Sequence, residues 1–248
     1  NIGGLTGTTS SVTVAAANLG INDASTVVIT GGLAGNVTTL SGSITDHGMS
    51  LDGSDFVGSL DITFGDGGLV QEGVNDAVTI KGGSGTSDKV TISASADNTG
   101  SFTMSGVETI VFGTDTAAST LNLKNVTGLT GITVTDDNGT QKGITITNAP
   151  VGVPVDIGVA SGDDYSGSDA LLDYNITTST GSSDSATFNL VNLANVDLDT
   201  DGIETVNLVA KEGSSGATDT VSIAASSVTA GTINVSGADA DDDVTLDS

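Results

Sequence analysis

The chain of 248 residues carries 31 Asp and Glu against five Lys and no Arg, which gives a formal net charge of −26 at pH 7. This balance argues against a nucleic-acid-binding protein and against binding to anionic membranes, because phosphate groups repel carboxylates. The absence of Cys excludes disulfides and thiolate metal sites, and no apolar run is long enough to insert into a bilayer.

Short segments that alternate apolar and polar residues predict strands along the whole chain. In each segment Val, Ile or Leu alternates with Thr, Ser or Asn, and turns rich in Gly, Asp, Asn and Ser recur at intervals of roughly ten residues. We therefore expect an all-β fold. The clearest segments, in chain order, are residues 11–14, 26–29, 59–64, 77–80, 89–92, 120–123, 131–134 and 143–146.

An internal repeat defines the expected organisation. Residues 105–112 (SGVETIVF) match residues 201–208 (DGIETVNL) at an offset of 96. One unit of about a hundred residues has therefore been used twice, at about 87–147 and 183–246. The other matched segments are 87–88 with 183–184, 120–123 with 220–223, and 132–134 with 233–235.

This self-similarity predicts a parallel β-solenoid, of the β-roll or β-helix kind, over residues 77–248. Residues 1–76 are expected to form an N-terminal β-rich segment that acts as an interaction region. Tandem β-sandwich domains are the alternative, because they also show short alternating strands with regular turns. The chain opens at Asn1 without an initiator Met and without a signal peptide, which predicts a mature product or a fragment.

The acidic residues point to calcium. All but four of them are Asp, and a short carboxylate suits turns and hard cations. In residues 81–92 a Gly-Gly-x-Gly turn at Gly82–Gly85 precedes Asp88 and a strand, close to the calcium-binding nonapeptide Gly-Gly-x-Gly-x-Asp. A glycine-rich turn with a solvated Asp is the alternative interpretation of the same residues.

Further acidic turns between strands extend this prediction. Neighbouring Asp residues repel each other unless a cation or water lies between them. Glu108 and Glu204 occupy equivalent places in the two repeats, and we expect them either to reach a cation in a neighbouring loop or to face solvent. The predicted Ca²⁺ ligands are Gly83, Gly85, Asp88, Glu108, Asp115, Asp136, Asp137, Asp163, Asp164, Asp169, Asp184, Asp199, Asp201, Glu204, Asp239, Asp241, Asp242 and Asp243.

Residues 106–112 and 202–208, with their Thr- and Asn-rich strands and Gly-Asp turns, resemble bacterial surface-layer proteins and adhesins of the RTX type. The resemblance covers most of the chain from about residue 77 onward. It implies secretion, a calcium-stabilised parallel β-solenoid, and self-assembly of copies into an S-layer lattice on the bacterial cell surface. It also implies cell-surface polysaccharide or lipopolysaccharide as a partner.

Two other classes of function are weighed against the lattice protein. A calcium-stabilised adhesin, or an ice- or glycan-binding module, could use Thr-x-Thr pairs such as Thr133-x-Thr135 and Thr145-x-Thr147 on one face. An enzyme is not expected, because five Lys, no Arg and the single His47 leave few groups for proton transfer.

Overall fold

The computed structural model describes residues 12–15, 26–30, 37–41, 50–64, 78–94, 102–114, 119–136, 143–158, 171–176, 182–191, 195–200, 202–211, 220–224, 230–237 and 243–247. These residues contain strands and turns but no helix, and hence no helix able to cross a membrane. The expectation of an all-β fold is confirmed.

The strands of the described residues are, in chain order, β1 (Val12–Ala15), β2 (Thr26–Val28), β3 (Val37–Ser41), β4 (Ser50–Asp52), β5 (Ser59–Phe64), β6 (Thr79–Lys81), β7 (Lys89–Ala94), β8 (Thr103–Ser105), β9 (Thr109–Thr114), β10 (Ser119–Asn122), β11 (Val126–Thr127), β12 (Gly131–Asp136), β13 (Ile144–Ala149), β14 (Val155–Ile157), β15 (Leu171–Ile176), β16 (Ser185–Val191), β17 (Asn195–Asp199), β18 (Thr205–Lys211), β19 (Thr220–Ala224), β20 (Thr232–Ser236) and β21 (Asp243–Asp247).

The first compact unit comprises residues 1–111 and 125–130. In it, stack 1 has the strand order β1-β3-β5-β7-β9, with residues 109–111 of β9 in this unit, and stack 2 has the order β2-β4-β6-β8-β11. The paired strands are parallel. Because the chain alternates between the two stacks and always returns in the same direction, each pair of strands forms one coil of a parallel solenoid.

The second compact unit comprises residues 112–124 and 131–248. In it, stack 3 has the order β12-β14-β16-β18-β20, and stack 4 has the order β10-β13-β15-β17-β19-β21. These strands are also parallel. The prediction of a parallel β-solenoid is therefore confirmed, and tandem sandwiches, which need antiparallel sheets, do not describe either unit.

Thin aliphatic columns form the core of each unit. In β5 the side chains of Leu60, Ile62 and Phe64 are fully buried, whereas the residues between them are half-exposed. Parallel pairing places Ile62 beside Val90 and Phe64 beside Ile92, so identical positions stack from coil to coil. Strand alternation thus explains why β-branched and aliphatic residues suffice for this core.

Close approach of successive turns requires glycine at one corner of the first unit. The N–H of Gly82 donates to Ser105 O at 2.8 Å. A Cβ added at Gly82 would overlap the main-chain oxygen of Gly106, and Gly106 itself has a φ of 64°, in the left-handed region. Only glycine satisfies both demands without a shift of the main chain.

The duplicated segments occupy equivalent elements. β7 and β16 follow the paired residues Ser87-Asp88 and Ser183-Asp184, and β9 and β18 follow the two Gly-x-Glu segments. The proposed boundary after residue 76 lies outside the described residues and stays a prediction.

Candidate functional site

The glycine-rich turn before Asp88 packs against the preceding coil. Ser84 N donates to Phe56 O at 2.9 Å. A Cβ added at Gly83 would lie 2.6 Å from Phe56 O, and one added at Gly85 would lie 2.5 Å from Gly58 O. Both glycines are therefore explained by close contact between main chains, whether or not the turn also binds an ion.

Asp88 has a fully buried side chain. It lies two residues before Val90 on the inward-facing side of its strand, which places it among the core positions. Its Oδ1 accepts a hydrogen bond from Leu60 N at 2.7 Å, and its Oδ2 accepts one from Gly83 N at 2.5 Å. Both carboxylate oxygens are thus used within the protein.

Burial raises the pKa of Asp88 above its ordinary value, and the two N–H donors, Leu60 and Gly83, act in the opposite direction. The donors nevertheless approach the carboxylate at short distances, as expected of charge-assisted hydrogen bonds. The carboxylate ties the glycine turn to the coil that precedes it.

Glu108 links Asp88 to the coil that follows. Glu108 Oε2 accepts a hydrogen bond from Asp88 N at 2.8 Å, while Asp88 O accepts from the N–H groups of Glu108 and Thr109 at 3.1 and 3.0 Å. Glu108 O in turn accepts from Thr130 N at 2.8 Å. We call this arrangement of an Asp and the Glu twenty residues later the Asp–Glu clamp.

The second unit contains the same clamp. Glu204 Oε2 accepts from Asp184 N at 2.8 Å, and Asp184 O accepts from the N–H groups of Glu204 and Thr205 at 3.1 and 3.0 Å. Glu204 O accepts from Thr232 N at 3.0 Å. The reuse of Glu at two equivalent positions therefore has a structural explanation that the sequence analysis missed, namely a carboxylate bound to a main-chain N–H of the preceding coil.

The two clamps differ at the aspartate. Asp184 Oδ2 is buried and has no hydrogen-bond partner among the described residues, in contrast to Asp88 Oδ2. In the first unit the strand residue Leu60 supplies a donor, whereas β14 begins only at Val155, which pairs with Phe188, four residues beyond Asp184. The preceding coil thus has no strand residue opposite Asp184 to donate an N–H.

Three lysines pair with aspartates of earlier coils. Lys81 Nζ lies 3.2 Å from Asp52 Oδ2, and Lys89 Nζ lies 2.9 Å from Asp61 Oδ2. In both cases parallel register places the two residues side by side. The pKa of Asp52 is lowered, mainly by hydrogen bonds from Ser54 and further by Lys81.

The third pair lies in the second unit. Lys211 Nζ lies 3.4 Å from Asp156 Oδ1, which also accepts from Asn189 Nδ2 at 2.6 Å. In the first unit the Asp and Lys of the two pairs are 29 and 28 residues apart, which is the length of the coil that separates them.

The remaining predicted ligands are only partly described. Asp199 is half-exposed in β17, where its main chain pairs with that of Asp173. Asp136 ends β12 and Asp243 begins β21, and only their main chains are described. Within the described part of the chain no group of three or more His, Cys, Asp and Glu side chains is arranged to hold a metal ion. The predicted ligands outside the described residues are Asp115, Asp137, Asp163, Asp164, Asp169, Asp201, Asp239, Asp241 and Asp242.

Comparisons with known proteins give no family assignment. No protein-family model, no curated protein and no solved structure matches the chain.

Proposed function

We propose that the chain is a structural, calcium-dependent, self-assembling protein of a bacterial cell surface, which forms an S-layer lattice from copies of itself. The observation that supports this proposal is the excess of acidic residues, which gives a net charge of −26. Lys81, Lys89 and Lys211 already form ion pairs within single units. Parallel coils repeat at about 4.8 Å, and their register places Asp199 beside Asp173, so successive coils bring like charges together. A divalent cation offsets that repulsion.

The two clamps fit calcium unequally. Both oxygens of Asp88 already accept main-chain N–H groups, so less of this carboxylate is open to calcium. Asp184 Oδ2 is a buried oxygen without a hydrogen-bond partner in the described part of the chain, which suits a hard cation. Asp184 is therefore the clamp residue that we propose as a calcium ligand, and the ion would supply charge neutralisation and stability in the folded state.

Thermal melting with and without calcium tests this proposal. We expect calcium at 100 times its dissociation constant to add about 2.7 kcal/mol to the free energy of unfolding. Asp184→Asn should lose a measurable part of that increment. Asp88→Asn is the matched control: it should melt at a lower temperature in both conditions and keep the full increment. Equal increments in the Asp184→Asn variant and the unmodified protein would exclude Asp184 as a ligand.

Electron microscopy of the same samples tests assembly. Ordered sheets should appear with calcium and dissolve when a chelator is added. Particles that stay monomeric at every calcium concentration would contradict the lattice, and purified lipopolysaccharide added to the sheets would test the proposed surface partner.

A calcium-stabilised adhesin, or an ice- or glycan-binding module, is the second candidate. Thr145 and Thr147 are half-exposed and stand in register with Thr120 and Asn122 on the neighbouring strand, which gives a small polar array. The next strand places Asp173 beside Thr145 and interrupts the row of threonines. Loss of glycan or ice binding in a Thr145→Val variant that still folds would favour this function over the lattice.

A further inference from the structure

The outer face of stack 2, in the first unit, carries two columns of small side chains. In β2, β4, β6 and β8 the central residue of three faces inward, and the residues on either side of it are exposed or half-exposed. Parallel register places these flanking residues side by side. The hydroxyl column consists of Thr26, Ser50, Thr79 and Thr103, and the mixed column consists of Val28, Asp52, Lys81, Ser105 and Thr127. We call the two columns together the polar strip.

The hydroxyl column presents hydrogen-bonding groups that the protein does not use. Within the described part of the chain, none of its four hydroxyls forms a hydrogen bond. The outer face of stack 3 differs, because its polar side chains bond to one another: Asn207 Nδ2 donates to Thr187 Oγ1 at 3.3 Å, and Asn189 Nδ2 donates to Asp156 Oδ1 at 2.6 Å. Since a hydroxyl can donate one hydrogen bond and accept two, the polar strip has unused donors and acceptors on successive coils.

The charges of the polar strip cancel. Lys81 Nζ lies 3.2 Å from Asp52 Oδ2, and the other residues of the two columns are uncharged. Asp52 Oδ1 is also occupied, because it accepts from the main-chain N–H and the hydroxyl of Ser54. The Lys81 ammonium has three N–H groups, so two remain for a ligand. In a chain with a net charge of −26, this strip therefore suits a neutral, hydroxyl-rich ligand better than an ion.

The polar strip has the dimensions of a linear chain. Five strands at a spacing of about 4.8 Å, with two outward residues on each, give a length of roughly 20 Å and a width of roughly 7 Å. A stable protein–protein interface takes about 800 Å² from each partner, which is several times this area. The main chains of these strands pair with one another, so the face offers no edge to an added peptide strand.

Resting on the proposed cell-surface role, we propose that the polar strip binds a neutral polysaccharide whose chain runs along the hydroxyl column. Sugar hydroxyls exchange hydrogen bonds with Ser50 and Thr79, and Lys81 donates to a sugar oxygen beside them. A polymer is favoured over a single sugar, because each exchanged hydrogen bond contributes little and several contacts must act together in one molecule. Ice fits the strip less well, since the 50 % exposed side chain of Lys81 projects next to the hydroxyls and prevents contact with a flat crystal surface.

Affinity electrophoresis of the full chain tests the proposal. Native gels contain chelator and one polysaccharide at a time: hydroxyethyl cellulose, galactomannan or dextran as neutral probes, and alginate as the anionic control. We expect at least one neutral polysaccharide to lower the mobility of the protein, and alginate to leave it unchanged because carboxylates repel carboxylates. The proposal is overturned if none of the three neutral probes retards the protein, or if alginate retards it equally.

A pair of matched double variants locates the binding face. Thr79→Val with Thr103→Val removes two hydroxyls of the strip, whereas Thr63→Val with Thr91→Val removes two half-exposed hydroxyls from the outer face of stack 1 in the same unit. The first variant should raise the dissociation constant for the retarding polysaccharide about tenfold, and the second should leave it unchanged. Circular dichroism spectra of both should match that of the unmodified protein.

Two further outcomes would contradict the proposal. Equal dissociation constants for the two folded variants would place polysaccharide binding elsewhere on the protein. Inhibition of ice growth that is lost in Thr79→Val with Thr103→Val, without retardation by any neutral polysaccharide, would assign the strip to ice. Failure of calcium to produce sheets would refute the lattice alone, because polysaccharide binding is measured in chelator, where no sheets are expected.

Discussion

At the scale of single residues, the carboxylate of Glu108 is the side-chain acceptor that joins two coils at the clamp. Glu108→Ala should lower the free energy of unfolding by about 1–2 kcal/mol, because Asp88 N loses its partner. Glu108→Gln keeps an amide oxygen at that place and should cost less than half as much. Chemical denaturation measures both, and Glu204→Ala and Glu204→Gln repeat the comparison in the second unit.

This pair of substitutions also separates structure from ion binding. If Glu108 were a calcium ligand, Gln and Ala would both reduce the stabilisation by calcium, because an amide is a weaker ligand than a carboxylate. Equal calcium increments in the unmodified protein and in Glu108→Gln would leave only the hydrogen-bonding role.

The buried hydroxyl of Thr200 gives a second prediction. Its Oγ1 has no hydrogen-bond partner among the described residues, and its counterpart 96 residues earlier is the fully buried Met104. Thr200→Val removes the unsatisfied hydroxyl and keeps the branched shape. We expect the free energy of unfolding to rise by about 1 kcal/mol. A lower value in thermal or chemical unfolding would show that the hydroxyl is solvated.

Tyr174 gives a prediction for alkaline pH. Burial raises the pKa of Tyr174 from 10.0 to about 12. The phenol ionises at a lower pH in the unfolded chain than in the folded protein. The contribution of the neutral phenol to the free energy of unfolding is therefore complete below pH 10 and is lost as the pH rises to about 12. Tyr174→Phe keeps the edge-on contact with Phe188 at 5.2 Å and abolishes this dependence. The stability of the unmodified protein relative to the variant should fall by about 2–3 kcal/mol between pH 9 and 12. A constant difference would contradict the assignment.

At the scale of elements, the corner at Gly82 limits how closely coils stack. Gly82→Ala would bring Cβ into the main-chain oxygen of Gly106 and to 2.7 Å from Asp88 Oδ2. We expect a loss of about 3 kcal/mol. Gly131→Ala is the control, since nothing lies within 4 Å of its added Cβ, and it should be neutral or stabilising by about 0.4–1 kcal/mol. Similar melting temperatures for the two variants would mean that the corner can open.

The strands and their inward residues were predictable from alternation, but the register was not. Asp88 precedes Val90 by two residues, so its burial follows from the pattern, whereas its bond to Leu60 depends on the coil length. That length varies: Val155 pairs with Phe188, 33 residues later, and Ser185 pairs with Thr205, 20 residues later. No fixed period therefore reveals which acidic and basic residues meet.

At the scale of the whole molecule, charge is expected to control stability. A net charge of −26 favours the unfolded chain, where carboxylates are farther apart. Raising NaCl from about 0.02 to 0.5 M shortens the screening length from roughly 20 to 4 Å and should raise the melting temperature. Calcium at millimolar concentration should exceed this effect if it binds at defined sites. A melting temperature that does not respond to either salt would show that the repulsion is already neutralised.

The clamps also affect how the molecule responds to mechanical force. A pull that peels strands from a parallel stack breaks one coil at a time, and 20 residues, the spacing from Ser185 to Thr205, release roughly 70 Å of extended chain. At the second clamp, Glu204 Oε2 accepts a hydrogen bond from Asp184 N of the neighbouring coil. A force on the strand hydrogen bonds at Ser185 and Thr205 therefore also acts on this side-chain hydrogen bond. Rupture there requires a larger force than at unbridged coils, so a tether in an optical trap would record high-force events at the two clamps.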